Sequence, residues 1–311
     1  MKQLTIVSVL MAVLLVFAAC QDGNDFGDDY VASLTKKQSQ SSENKESSNQ
    51  SEGTGNQGDD NGSQGEGTGS QGEDTGNQTD SNQSFTVSGN GLTVTFNMIE
   101  VEGGTFKMGS EDSDAYSDEK PVHQVTLSSY AIGETEVTQE LWQAVMGSNP
   151  SNFKGTNLPV EQVSWEDCQE FIRKLNQMTG RTFRLPTEAE WEFAARGGNK
   201  SQGYKYSGSN NIDDVAWYDG NSSSATHPVK TKKANELGLY DMSGNVYEWC
   251  SDWYASYDSS AQTNPTGPNS GSIRVCRGGC WINIAGRCRS ASRNNFTPSD
   301  RVIILGLRLA L

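Results

Sequence analysis

RVCRGGCWINIAGRCRSASRNNFTPSDRVIILGLRLAL, residues 274–311, is the stretch from which the rest of the chain is best read. Two adjacent glycines, Gly278 and Gly279, stand between a strand-like run and Trp281, so the backbone there must bend sharply or approach another segment closely. Beyond them, small and basic residues (Ala285, Gly286, Arg289, Ser290, Arg293) are interrupted by Ile282, Asn283, Ile284, Arg287, Asn294, Asn295, Phe296, Asp300, Val302, Ile303 and Ile304. Val, Ile and Phe favour strands, and residues 302–309 suit a buried terminal strand. Ile282 and Ile284 lie among Asn, Gly and Arg, where sheet packing and presentation to solvent are both open.

The other end of the chain is an address. Lys2 gives a positive start, and Leu4–Ala18 is a nearly continuous apolar run of signal-peptide length, shorter than the roughly 20 residues a membrane helix needs. Small residues directly before Cys20 resemble a bacterial lipobox, which implies a signal peptide over 1–20, cleavage before Cys20 and lipidation of its thiol. The mature protein is then anchored to a membrane through lipid rather than spanning it. The acidic QDGNDFGDD that follows resembles the export signal of surface lipoproteins, so the expected location is the outer membrane of a bacterial envelope, facing outward.

Residues 21–84 are Ser, Gly, Asn, Gln, Asp and Glu with almost no apolar content, a composition that cannot offset chain entropy by burial. They are read as a disordered linker. With 13 acidic and 3 basic side chains, this segment supplies a net −10 of the chain's −15. The low isoelectric point therefore describes the linker, and the remainder offers no basic footprint for nucleic acid.

Residues 85–311 are enough for one sizeable core. They open with strand-like alternation at Leu92, Val94 and Phe96, and alternate again over 122–127. Thr138 caps a short helix closed by Gly147. Ser164 with Asp167, and Thr187 with Glu190, form capping-box pairs ahead of apolar residues at helical spacing. From 197 to 280 the chain is rich in Gly, Asn, Ser, Asp and aromatics, with short elements at best. This is α+β with high loop content: two packed helices and short antiparallel strands.

Four runs in order, RLPTEAEWEFAARGG (184–198), GLYDMSGNVYEWCSDWY (238–254), RVCRGGCW (274–281) and GLRLAL (306–311), resemble the formylglycine-generating enzyme or sulfatase-modifying factor family. The resemblance spans about residues 98–311 and implies that family's loop-rich variant of the C-type lectin fold. It also implies an oxidase that converts a protein cysteine to formylglycine at a copper ion held by two cysteines five residues apart. Here Asn283 takes the first position, and the second falls on Cys288 or Ala285 according to the direction of counting. Two thiolates suit Cu(I) and an amide does not, so copper is not expected and no catalytic residue is assigned. The resemblance further implies a structural Ca²⁺ held by Asp241, Gly244, Val246 and Glu248, hard oxygen donors around a tight turn.

The remaining chemistry is sparse. The five cysteines after Cys20 (Cys168, Cys250, Cys276, Cys280, Cys288) match no zinc spacing, and Cys168 reads as a buried helix thiol. His227 reads as structural, and Asp112, Asp114, Asp118 and Glu119 as a solvated loop.

The scattered tail has a coding explanation. Asn codons carry two adenines, and replacing one or both yields Ile, Val, Phe, Asp, Arg and Ser among others. Ile282, Ile284, Arg287, Phe296, Asp300, Val302, Ile303 and Ile304 are each one or two such steps from Asn, beside surviving Asn283, Asn294 and Asn295. Residues 280–304 thus resemble the variable region of a diversity-generating retroelement target protein. The expectation is a lipid-tethered module that binds a protein or glycan. Trp281, Ile282, Ile284 and Phe296 are its apolar contacts, and Asn283, Arg287, Asn294, Asn295, Asp300 and Val302 complete the face. The competing classes are a formylglycine-generating oxidase and a structural component of an envelope complex.

Overall fold

The computed structural model describes residues 83–311; the signal-like run, Cys20 and nearly all of the linker reading lie outside them. No helix among the described residues is long and apolar enough to cross a membrane.

The described residues begin with a hairpin, β1 (Gln83–Gly89) and β2 (Leu92–Val101), joined by Asn90 and Gly91. Both turn residues have positive φ, 52° and 78°, which is why Asn and Gly occupy them. Next come β3 (Gly104–Met108), β4 (His123–Leu127) and β5 (Tyr130–Gly133), of which β5 pairs back on β2. The helices α1 (Gln139–Met146), α2 (Trp165–Thr179) and α3 (Glu188–Ala195) start where the capping signals place them. Thr138 Oγ1 accepts from the Leu141 amide, and the Ser164–Asp167 and Thr187–Glu190 boxes are both closed. Gly147 and Gly180 end α1 and α2 in the left-handed conformation.

A one-turn helix, α4 (Ile212–Val215), interrupts the long loops. The strands β6 (Tyr247–Trp253), β7 (Gln262–Thr263), β8 (Arg274–Arg277), β9 (Arg293–Phe296) and β10 (Leu305–Leu307) finish the chain. They build three small sheets ordered β1-β2-β5, β3-β4-β7 and β10-β6-β8-β9. The pairing is mainly antiparallel, but β10 lies parallel to β6, and β7 to β4. The α+β expectation holds with two helices more than the packed pair: α3, which packs separately against β6 and β8, and the single turn α4.

The main core lies between the first sheet, α1 and α2 and the inner edge of the last sheet. There Trp142 stacks on Phe171 at 4.9 Å with planes 7° apart, and Leu175 is fully buried. Truncating such a leucine costs about 2–5 kcal/mol. A second cluster packs Trp191 and Phe193 of α3 against Val125, Cys250 and Val275.

The terminal strand is shorter than expected. Only Leu305–Leu307 pair as strand, because residues 298–302 turn back onto α2. The Trp165 amide donates to Pro298 O at 2.9 Å and the Gln162 amide to Val302 O at 3.1 Å. Those bonds consume the backbone that a longer strand would need. The last sheet sets up the tail: β8 leads into the Gly278–Gly279 turn, and β9 returns as the sheet's edge.

Candidate functional site

The double-glycine turn is stereochemically forced. Gly278 and Gly279 have φ of 100° and 74°, and a Cβ on Gly279 would sit 2.7 Å from the Cys288 sulfur. Beyond it the chain winds into a closed turn. Asn283 Oδ1 accepts from the Cys280 amide (3.0 Å) and from Cys280 Sγ (3.1 Å), while its carbonyl accepts from the Asp219 amide. Trp281 Nε1 donates to Ile303 O at 3.1 Å, and the ring meets Phe153 edge-on.

Two expected contact residues are therefore framework: Trp281 is 5 % exposed and Asn283 is 3 % exposed. An indole whose N–H finds a carbonyl is as well satisfied inside as at an interface. No local signal separates the two.

The basic residues of the tail divide likewise. Arg277, Arg289 and Arg293 are buried, and each is matched by a buried glutamate. Arg277 Nη2 donates to Glu192 in a very short bond, and its Nη1 donates to Ala291 O (2.9 Å) and Ser292 O (2.6 Å). Arg289 forks onto both oxygens of Glu119, and Arg293 onto both oxygens of Glu188 at 2.6 and 2.8 Å. Against the cost of burial, Arg196 and Arg277 hold the Glu192 carboxyl below the usual carboxylate range. The solvated acidic loop must be corrected here, because Glu119 is fully buried in its pair with Arg289.

The other assigned side chains stand at or near the surface. Ile284 is 39 % exposed, one of two large apolar side chains so exposed among the described residues. Arg287, half-buried, lies over the Tyr116 ring at 3.9 Å. Asn294, Asn295, Phe296, Asp300 and Val302 are half-buried on or beside the edge strand β9. Phe296 presses edge-on against Tyr247 and Trp249, both at 6.2 Å, and Ile282, Phe296 and Val302 touch the main core. Ile282 and Phe296 are thus not free anchors. The face is shallow: one protruding isoleucine, a stacked arginine and amides along a strand edge.

The copper positions do not fit the metal. Asn283 is committed to its turn, and Ala285 brings only a methyl group to the short 3-10 turn Ala285–Cys288. Cys280 and Cys288 are buried and free, and burial pushes both thiols up, Cys288 to about 12. They stand eight residues apart in sequence, and Cys280 Sγ is hydrogen-bonded to Asn283 Oδ1, so they do not reproduce the pair five residues apart that the resemblance implies. Cys168, Cys250 and Cys276 are also buried free thiols. His227 is structural, stacked on Trp217 at 3.7 Å with Nε2 2.7 Å from Ser222 O.

The calcium expectation meets a mixed geometry. Asp241, Gly244 and Asn245 all take positive φ, winding the loop around a buried centre. There Glu136, Asp241 and Glu248, all buried, face one buried guanidinium, Arg308. Burial, then repulsion from Asp241 and Glu248, push the Glu136 carboxyl well up; burial first of all lifts Asp241 to about 6. That excess of negative charge and the oxygen-only donor set fit a hard divalent ion. Glu248 fits less well, because its oxygens already accept from Arg308 (2.7–3.0 Å) and from Trp191 Nε1 (2.6 Å). Among the described residues no three His, Cys, Asp or Glu side chains converge as a metal cluster. A site drawing on the carbonyls of Gly244 and Val246 asks for only two carboxylates.

A helix pair over short strands, an edge strand and a glycine-turned C-terminal loop define a formylglycine-generating-enzyme-like variant of the C-type lectin fold. Residues 85–311 match the model of the sulfatase-modifying factor enzyme 1-like domain, and the chain belongs to that family. It is 39% identical over 263 residues to the chaperone protein LppX of Paenibacillus barcinonensis, covering 68% of this chain and 88% of that one. It is 31% identical over 285 residues to the formylglycine-generating enzyme of Streptomyces coelicolor, covering 68% and 88%. Among solved structures, Treponema denticola variable protein 1 superposes with a TM-score of 0.68 at 39% identity, covering 75% of this chain and 99% of that one. The likeness to variable proteins read from the tail is thus met in the fold.

Proposed function

We propose that this chain is a ligand-binding module, tethered by lipid at Cys20 to the outer membrane of a bacterial cell and displayed outward. Its variable face is the surface carrying Ile284, Arg287, Asn294, Asn295, Phe296 and Asp300. The observation that carries this reading is the division of labour within the tail. Buried arginines locked on buried glutamates hold the loop, while Ile284, Arg287, Asn294, Asn295 and Asp300 of the Asn-related set reach its surface and Ile282, Phe296, Val302, Ile303 and Ile304 pack on the core. Such a frame tolerates substitution at Ile284 and the polar positions of the face, while Phe296 reaches down to the core. The ligand is a protein or glycan outside the cell, met by an apolar spot ringed with amides and a guanidinium. Calcium bound at Asp241, Gly244, Val246 and Glu248 is proposed as a structural ion beneath this face.

The test has two arms. The genome beside the gene should hold a reverse transcriptase and a near-copy of the segment coding for 280–304, differing at adenines; absence of both refutes diversification. A library of full chains randomised at 284, 287, 294, 295 and 300 should stay folded and yield binders to an arbitrary model protein. Recovery of only unfolded chains or non-binders would overturn the binding face.

A further inference from the structure

A cavity of about 680 Å³ opens away from the double-glycine loop, between the β4–β5 turn, the first turns of α2 and α3, and the start of β8. Every residue lining it lies outside 280–304. Whatever stands at the tail, this cavity keeps the same walls.

Its distinctive group is Arg274. The guanidinium is sandwiched between two indoles, 4.0 Å from the Trp165 ring centre and 3.5 Å from that of Trp253. Trp165 is itself pinned, donating from Nε1 to Cys250 O at 3.0 Å. Arg274 Nη1 donates to Ser251 O at 2.6 Å, while its buried Nε has no hydrogen-bond partner. Among the described residues no carboxylate comes within ion-pair distance of it, unlike the arginines that hold the tail. The other arginine of the cavity, Arg184, is spent, forked onto Glu190 at 2.6 and 2.8 Å. That pairing also neutralises the Glu190 carboxylate among the lining groups.

An oriented guanidinium fixed by aromatic faces, lining a cavity and lacking a carboxylate partner among the described residues, is a receptor for a planar anion, above all a carboxylate. The volume exceeds what a bare carboxylate fills and suits a small organic ligand. The walls also carry Gln169, Thr266 and the hydroxyls of Ser128 and Ser129; Asn264 is paired with Ser128, its Oδ1 accepting from the Ser128 amide at 2.8 Å and its Nδ2 donating to the Ser128 Oγ at 3.0 Å, and the Ser129 Oγ accepts from the Gly103 amide. Such groups match a ligand rich in hydroxyls.

We propose that this cavity is a second, constant binding site that takes a sugar acid, with Arg274 receiving its carboxylate and the polar walls its hydroxyls. The inference stands apart from the reading of the tail, and the site serves any tail alike.

The test titrates the full chain with glucuronate and galacturonate by calorimetry, with glucose, galactose and acetate as comparators. Trp fluorescence follows in parallel, since two indoles flank the receptor. Saturable binding of a uronate, with the neutral sugars silent and acetate weaker, is expected. Arg274→Gln should weaken it at least tenfold. Gln169→Glu places a second negative charge on the cavity wall without removing any hydrogen bond described above, and should weaken it several-fold. Ile284→Asn in the tail should leave it unchanged. No saturable uronate binding, equal binding of neutral sugars, or Gln169→Glu binding like wild type would each overturn the proposal. Loss of uronate binding on the tail substitution alone would do the same, by moving the site to the variable face.

Discussion

Arg293 grips both carboxylate oxygens of Glu188, at 2.6 and 2.8 Å, joining the edge strand of the last sheet to the first turn of α3 across 105 residues of chain. Tyr257 closes one side of the guanidinium at 3.9 Å. Both partners are buried, so removing one strands an uncompensated charge.

Glu188→Ala or Arg293→Ala should therefore lower stability by about 3–5 kcal/mol, read from urea denaturation. A change within about 0.5 kcal/mol would mean the pair is dispensable to the frame.

The tail should separate cleanly into face and frame. Ile284→Asn should leave the denaturation midpoint near wild type, because exposed sites typically change stability by less than about 0.5 kcal/mol. Phe296→Asn places an amide against Tyr247 and Trp249 and should cost about 1–3 kcal/mol. Trp281→Ala should cost about 3–5 kcal/mol. If all these variants melt alike, the division proposed for the tail is wrong.

The capping boxes at Ser164–Asp167 and Thr187–Glu190 were legible because each is a local rule written within four residues. The Asn90-Gly91 hairpin carried an equally local signal that the alternation reading passed over. The Glu–Arg frame was not legible. Glu119 and Arg289 meet across 170 residues, and nothing near either predicts the other. For the same reason Trp281 and Asn283 were placed on the face: burial of a loop residue is decided by segments such as Phe153 and Asp219, far away in sequence.

Stability should rise as the medium turns mildly acidic. Burial, then the neighbouring Glu188 charge, raise Asp252 to about 7, and burial raises Glu161 to about 7. A carboxyl raised in the folded state binds more protons there than in the unfolded chain, so stability falls as pH climbs from the unfolded value through about 7. Asp252→Asn should raise the melting temperature at pH 8 and lose that advantage near pH 5. An advantage that persists unchanged at pH 5 would reject the assignment. Glu192, held below the usual range, works in the opposite sense: its stabilisation is lost as acid finally protonates it.

Calcium should stabilise the fold and a chelator should lower Tm, because a ligand bound only to the native state adds RT ln(1 + [L]/Kd). Asp241→Ala should abolish that dependence. Melting indifferent to both calcium and chelator would show that Arg308 alone neutralises the Glu248 side of the cluster.

Copper-loaded full chain incubated with a Cys-x-Pro-x-Arg peptide should give no formylglycine by mass spectrometry, since an amide, Asn283, bound into its turn, stands where the first thiolate would be. Turnover above a metal-free control would return the chain to the oxidases.

The short strand β10 lies downstream of residues 280–304, yet it is structurally central. Leu305–Leu307 run beside β6, and Ala310 bridges to both Ile132 and Arg184. A frameshift or stop codon anywhere in 280–304 would delete these closing contacts, leaving the interior of the last sheet bare. Only messages read through in frame can yield a chain that closes. If the tail is varied as proposed, folding acts as its proofreader, clearing truncated and shifted copies before any of them meets a ligand.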